Sequence, residues 1–221
     1  PNATSPKNIG DLAILTGMKS LIKKKDNLII HSSEAGLYKN YFKERISPTL
    51  YSWAAFESRA PITRIKRLSK LVLNYYFFDE KQLSINDKTL SMLVEDYKKA
   101  DLILFAGGGY LRSQKGLTQS LNLLMTLIHF YFAKKTKAKK IIAPISFGPF
   151  AYKWQEKLAG LVLQGFDLVA VREKYSYDLL KQYLNHNLIR SSDTALFLPS
   201  RFKKKNEGKK FVLGFTIRKW L

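Results

Sequence analysis

Five short apolar runs set the strongest limit on how this chain can fold: Asn27–His31 (NLIIH), Leu102–Ala106 (LILFA), Lys140–Ile145 (KIIAPI), Leu168–Arg172 (LVAVR) and Phe211–Arg218 (FVLGFTIR). Most lack polar residues at alternate positions. As strands they must therefore be covered on both faces, which is the habit of parallel sheets. Longer patterns of helical period lie among them, at Asp11–Lys24, Lys88–Lys99, Leu117–Lys135, Trp154–Gln164 and Lys174–Tyr183. This alternation predicts an α/β fold, a doubly wound Rossmann-like parallel sheet whose ligands bind at the carboxyl ends of the strands.

Two tracts break the rhythm. Residues 40–87 hold Pro48, Pro61, the basic run TRIKR at 63–67 and the aromatic cluster YYFF at 75–78, and read as an insertion with helices. The second tract, RFKKKNEGKK at 201–210, has the composition of an interdomain linker. The expected organisation is a Rossmann-like amino-terminal domain over 1–200, the linker at 201–210, and the first strand of a truncated second α/β domain over 209–221. The opening PNATSPKNIGD reads as neither a secretory nor a transit signal, and the strand that should lead into Asn8 is expected to be missing.

Composition narrows the chemistry. With 46% hydrophobic residues in 221, the chain has enough apolar material for a real core. The absence of cysteine excludes disulfides, Cys-ligated zinc and a thiol nucleophile. His31, His129 and His186 share no metal-ligand spacing, so neither a metal nor a cofactor is expected. His129 lies in an apolar helical run and reads as a core histidine, His186 as a solvated turn residue, and His31 as a strand-end site candidate. The 17 residues Leu117–Ala133 are short for a membrane span and contain Thr118, Gln119, Asn122 and His129, so they read as a buried helix. A formal charge of +21 calls for an anionic partner: nucleic acid, an anionic membrane face, or a phosphorylated or acidic substrate. A lysine-rich composition alone supplies part of that excess. Nucleic acid is disfavoured, because neither zinc-finger spacing nor an RNA-recognition aromatic motif is present.

Five predicted strand or turn ends carry small or charged residues. Gly107, Gly108 and Gly109 follow LILFA, and either admit a ligand to the backbone amides or make room for a crossing helix. They fit neither G-x-G-x-x-G, whose last glycine would fall at Arg112, nor a P-loop. Asn8, Gly10 and Asp11 precede a helical pattern, where Asp11 either caps the helix or faces an anion or hydroxyl substrate. Ser146 and Gly148 end the next strand. Arg172 and Glu173 close the one after, offering an anion contact or an ion pair that organises the turn. Asp193, in Ser-Asp-Thr, is a cap, a turn residue or a site carboxylate. Together they describe a cleft along one edge of the sheet.

Taken in order, NIGDLAIL at 8–15, ADLILFAGGGYL at 100–111, PISFGPF at 144–150, LVAVREKYSYDLL at 168–180, SSDTALFL at 191–198 and GFTIRKW at 214–220 resemble the polysaccharide pyruvyl transferase family. The resemblance implies a GT-B-like two-domain architecture and transfer of a pyruvyl group from phosphoenolpyruvate to a saccharide acceptor, free or lipid-linked, as a ketal. On that basis Asp11, Glu173 and Asp193 are the candidate acids and bases, the alternative being an acid from the second domain. Arg218 and Arg172 are the candidate donor-anion contacts, and Asn8, Gly10, Gly107, Gly108, Gly109, Ser146 and Gly148 shape the substrate side. The expected location is cytoplasmic, peripheral at the inner face of the membrane. A GT-B glycosyltransferase using a nucleotide sugar and a non-catalytic binding subunit are the competing readings.

Overall fold

The computed structural model describes residues 6–23, 27–55, 61–76 and 87–198. Helix α1 (Ile9–Ser20) opens the chain, followed by β1 (Ile29–Ser32), the short α2 (Ala35–Tyr38), β2 (Arg45–Pro48), α3 (Leu50–Ala55), α4 (Pro61–Tyr76) and α5 (Lys88–Lys99). Then come β3 (Leu102–Phe105), β4 (Gly108–Leu111), α6 (Leu117–Lys134), β5 (Lys139–Phe147), α7 (Lys153–Leu163), β6 (Leu168–Val171), α8 (Lys174–Leu180), β7 (Leu188–Arg190) and a 3-10 turn at Thr194–Phe197. Every strand pairing among the described residues is parallel, so the Rossmann-like α/β class expected from the apolar runs is the one adopted. The expected linker, the second-domain strand and Arg218 lie outside the described residues, as do Phe77 and Phe78 of the aromatic cluster.

The main sheet runs in the order β3–β5–β6–β7, with β4 also on β5. Phe105 pairs with Ile142 and Gly108 with Ile145, so β3 and β4 are successive parts of one strand path along the same edge of β5. The sequence places the glycines at the carboxyl end of a strand; in the structure they lie along a continuing strand path, with Gly108 and Gly109 in β4. On the far side of β5, Ile142 meets Val169 and Ile145 meets Val171. Two residues of β5, Ala143 and Pro144, therefore oppose Ala170 alone, which is a bulge. Proline has no N–H for a ladder, which is why it is accommodated there.

Strand β2 escaped the sequence reading because Arg45-Ile-Ser-Pro has a single aliphatic residue. It pairs with β1 in a separate two-stranded sheet. The rest of the described part of 40–87 is largely helical, as expected. Residues of β1 (Ile29–His31) and β3 (Leu102–Leu104) line the same cavity of about 890 Å³, roofed by Leu15 and Met18 of α1 and by Asp96 and Tyr97 of α5. Among the described residues, β1 pairs only with β2 and β3 only with β5.

The larger core lies around the main sheet and is dominated by aromatics. Phe105 of β3 stacks on Phe130 of α6 at 4.3 Å and 10°, both fully buried. Each such ring contributes about 3–5 kcal/mol relative to alanine. Helix α6 buries one face, through Leu123, Leu127, Phe130 and Phe132, and leaves Leu117 and Leu121 exposed, so it is less buried than expected; no helix among the described residues is long and apolar enough to cross a membrane.

His129 is the core histidine that the pattern implied. Its Nε2 accepts the Tyr51 N–H at 3.4 Å, which leaves Nδ1 to carry the proton toward the Tyr97 hydroxyl at 3.2 Å. Protonating Nε2 would set two donors against each other. Burial already disfavours the cation, and the pKa is pushed down to about 3. Because the folded value lies below the unfolded 6.5, the unfolded chain binds more protons between these limits. Stability is therefore expected to fall as pH drops from about 6.5 toward 3, with His129 contributing up to about 1.4 kcal/mol per pH unit. Urea midpoints measured across this range test this, and a flat profile from pH 6.5 to 4 would contradict it.

Candidate active site

A cleft of about 1160 Å³ lies along the carboxyl ends of the central strands. Asn8, Gly10, Asp11, Gly107, Gly108, Gly109, Ser146, Gly148, Arg172, Glu173 and Asp193 all line it. The structure thus brings together the site residues expected from the sequence, with two exceptions: Arg218, which is not among those described, and the strand-end candidate His31, which lies elsewhere. Tyr110, Arg112, Tyr175 and Ser176 line it too and were missed. Ser176 had a readable signal, since a serine three residues after a turn carboxylate is positioned to bond it.

The floor is an ionic web centred on Arg172. Its Nη1 donates to Asp193 Oδ2 at 2.6 Å and its Nη2 to Ser146 Oγ, while Nε stands 3.5 Å from Glu173 Oε1. The Ser146 hydroxyl donates in turn to Glu173 Oε1 at 2.5 Å. Glu173 Oε2 accepts from the buried Ser176 at 3.0 Å, and Ser176 in turn takes the Phe147 N–H of β5 at 2.8 Å. The turn after β6 is tied to the sheet by Arg172 N–H to Ile145 O at 3.0 Å and Ser191 N–H to Val171 O at 2.9 Å. The ion pair considered from the sequence is therefore present, with both carboxylates drawn to one guanidinium.

Asp193 has two jobs at once. Its Oδ1 caps the 3-10 turn by accepting the Ala195 N–H at 3.0 Å, and Oδ2 holds Arg172. That turn is clasped to α1: Thr194 Oγ1 donates to Ile14 O at 3.1 Å, and Ser20 Oγ reaches Phe197 O at 3.3 Å. At the other end of α1 the capping residue is Asn8, whose Oδ1 accepts the Gly10 N–H at 3.1 Å. Asp11 is not the cap. It sits in the first turn, partly exposed, where the positive end of the helix favours its charge.

Each glycine of the triplet has its own reason. A Cβ on Gly107 would lie 2.6 Å from the Pro144 carbonyl oxygen, so the close approach is that of β5. Gly108 has φ +133°, a conformation that L side chains rarely adopt. Only Gly109 is open toward the cleft, its Cβ position lying 3.9 Å from Arg172 Nη2. Gly107→Ala is therefore expected to destabilise by about 2 kcal/mol through overpacking against backbone. Gly109→Ala should leave the melting temperature within a degree or so while lowering turnover. Calorimetry and a phosphate-release assay on both variants check this, and equal losses of stability would refute the division.

His31, the strand-end histidine, is not in this cleft. It is buried in the second cavity, 3.2 Å from Asp96 Oδ2, and Asp96 also bonds Arg45. Burial lowers the His31 pKa, and the bond to Asp96 offsets part of that. Among the described residues no group of three or more His, Asp or Glu is arranged to hold a metal ion.

No curated protein and no solved structure matches this chain. The family model for polysaccharide pyruvyl transferase matches residues 8–221, which takes in all the cleft segments described above. The chain therefore belongs to the polysaccharide pyruvyl transferase family.

Proposed function

We propose that this cleft is the acceptor half of a pyruvyl transfer site, in which phosphoenolpyruvate gives its pyruvyl group to a pair of saccharide hydroxyls. The observation that carries the reading is the convergence of Asp11, Glu173, Asp193 and Arg172 in one cleft of a chain that belongs to this family. In the balanced reaction the methylene carbon of phosphoenolpyruvate takes a proton and becomes a methyl group. Two hydroxyl oxygens then bond to the adjacent carbon, the carbon–oxygen bond to phosphate breaks, and phosphate leaves. The two hydroxyl protons end on the methyl group and on phosphate.

Carboxylates suit the acceptor, because they accept hydrogen bonds from hydroxyls and can take a proton from them. Glu173 and Asp193 are held by Arg172, so their role is to fix the floor against which the sugar lies. Asp11, which lines the cleft from the first turn of α1, is assigned the proton exchange. Arg218 remains the candidate for the donor's carboxylate or phosphate. Full-length protein should show a raised melting temperature with phosphoenolpyruvate and none with a panel of nucleotide sugars. The reverse pattern would favour a glycosyltransferase.

A lipid-linked acceptor would give the +21 charge a use. Helix α4 carries Arg64, Lys66, Arg67 and Lys70 with no acidic residue, and Ile62, Val72 and Leu73 are exposed on it. Each basic residue near an anionic surface adds on the order of 1 kcal/mol of attraction. Liposome flotation is expected to recover the protein with anionic vesicles and not with neutral ones; equal recovery would remove the idea.

A further inference from the structure

Arg112 follows β4 directly, and the backbone on both sides of it is pinned. Leu111 O accepts the Gly148 N–H at 2.7 Å, and the Ser113 N–H donates to Pro149 O at 3.1 Å. The buried Ser113 hydroxyl donates to Gln155 Oε1 at 2.5 Å. The Arg112 side chain itself is exposed and lines the cleft. It forms no ion pair or hydrogen bond with any described residue.

The other cleft arginine is in the opposite condition. Arg172 faces Asp193 at 2.6 Å and Glu173 at 3.5 Å, and its second Nη is bonded to Ser146. An incoming anion would meet a guanidinium whose charge two carboxylates already balance, and would have to displace one of them. At Arg112 it would meet an uncompensated charge on a fixed stretch of backbone, and would have to order only the side chain itself.

We propose that Arg112 is the oxyanion seat of this half of the cleft, taking a phosphate group of the substrate in its guanidinium fork, while Arg172 positions the carboxylates. The inference rests on the pyruvyl-transfer reading of the same cleft. The planar fork matches a phosphate with two parallel hydrogen bonds, a geometry that lysine cannot reproduce. Two groups have that chemistry: the phosphate of phosphoenolpyruvate, and the diphosphate of a lipid-linked saccharide.

The test is titration calorimetry on the full-length protein and its Arg112→Ala and Arg112→Lys variants. The ligands are phosphoenolpyruvate, a saccharide diphosphate, and the same saccharide without phosphate. Arg112→Ala should weaken one of the two phosphate-bearing ligands by about 10- to 100-fold, as loss of a charge-assisted bond does. Binding of the unphosphorylated saccharide should be unchanged, the salt dependence shallower, and Arg112→Lys intermediate. Which ligand suffers identifies the source of the phosphate. An unchanged melting temperature separates this loss from misfolding. Equal affinity of wild type and Arg112→Ala for both phosphate-bearing ligands would overturn the assignment. If wild type forms no ketal, the pyruvyl-transfer reading fails, and a loss of saccharide diphosphate binding in Arg112→Ala would still support the oxyanion seat.

Discussion

Gly17→Ala is expected to cost about 3 kcal/mol of stability and to disorganise the cleft at the same time. Glycine to alanine inside a helix ordinarily stabilises by about 1 kcal/mol, so the sign is decided by what surrounds the new methyl group. At residue 17 that Cβ would lie 1.9 Å from the Thr194 carbonyl oxygen and 2.8 Å from its carbon. These are backbone atoms with no rotamer to change. Helix α1 and the 3-10 turn must then separate, breaking the Thr194 bond to Ile14 and the Ser20 bond to Phe197. Asp193 begins that turn, so its hold on Arg172 is lost as well. A melting temperature lower by roughly 5–10 °C is the expected reading for a domain of this size. A variant as stable as wild type would show that α1 does not pack on this turn.

Arg172→Ala should abolish most activity, lowering kcat by about 100- to 1000-fold, the usual cost of removing one preorganised charge from an active site. Without the guanidinium, Asp193 and Glu173 repel each other, and Ser146 loses one of its two partners. The effect on stability is smaller. Arg172 and Asp193 are each about one quarter exposed, at 26% of the side chain, so water screens the pair and the loss should be about 1–2 kcal/mol. Asp193→Asn separates the roles. The amide oxygen can still accept the Ala195 N–H, so the cap should survive and the loss of stability should be no larger than that of Arg172→Ala, while the charge opposite Arg172 is gone. Full kcat in Arg172→Ala would remove the web from the mechanism.

Parallel strands could be read from the sequence because they are buried on both faces, and an apolar run such as LVAVR signals that condition directly. Strand β2 could not, since Arg45-Ile-Ser-Pro takes its place by pairing with β1 and not by composition. The cleft was legible as a set of strand ends, because in this topology those ends must converge. Its wiring was not. Whether Arg172 is free or paired depends on where Asp193 falls, 21 residues along the chain, and this is set by the packing of α1 on the 3-10 turn. Arg112 was passed over because an isolated arginine after a glycine triplet carries no pattern. Its significance comes from having no carboxylate partner among the described residues. The glycine triplet looked like one device from the sequence, and the structure divides it into a close strand contact, a conformational need and one open face.

The most direct test is to incubate the full-length protein with phosphoenolpyruvate labelled with carbon-13 at the methylene carbon and with a saccharide acceptor. The pyruvyl-transfer account predicts a new methyl resonance of a ketal, matched mole for mole by released phosphate and nearly absent with Arg172→Ala. Unconsumed phosphoenolpyruvate, with transfer from a nucleotide sugar by the same protein, would contradict it.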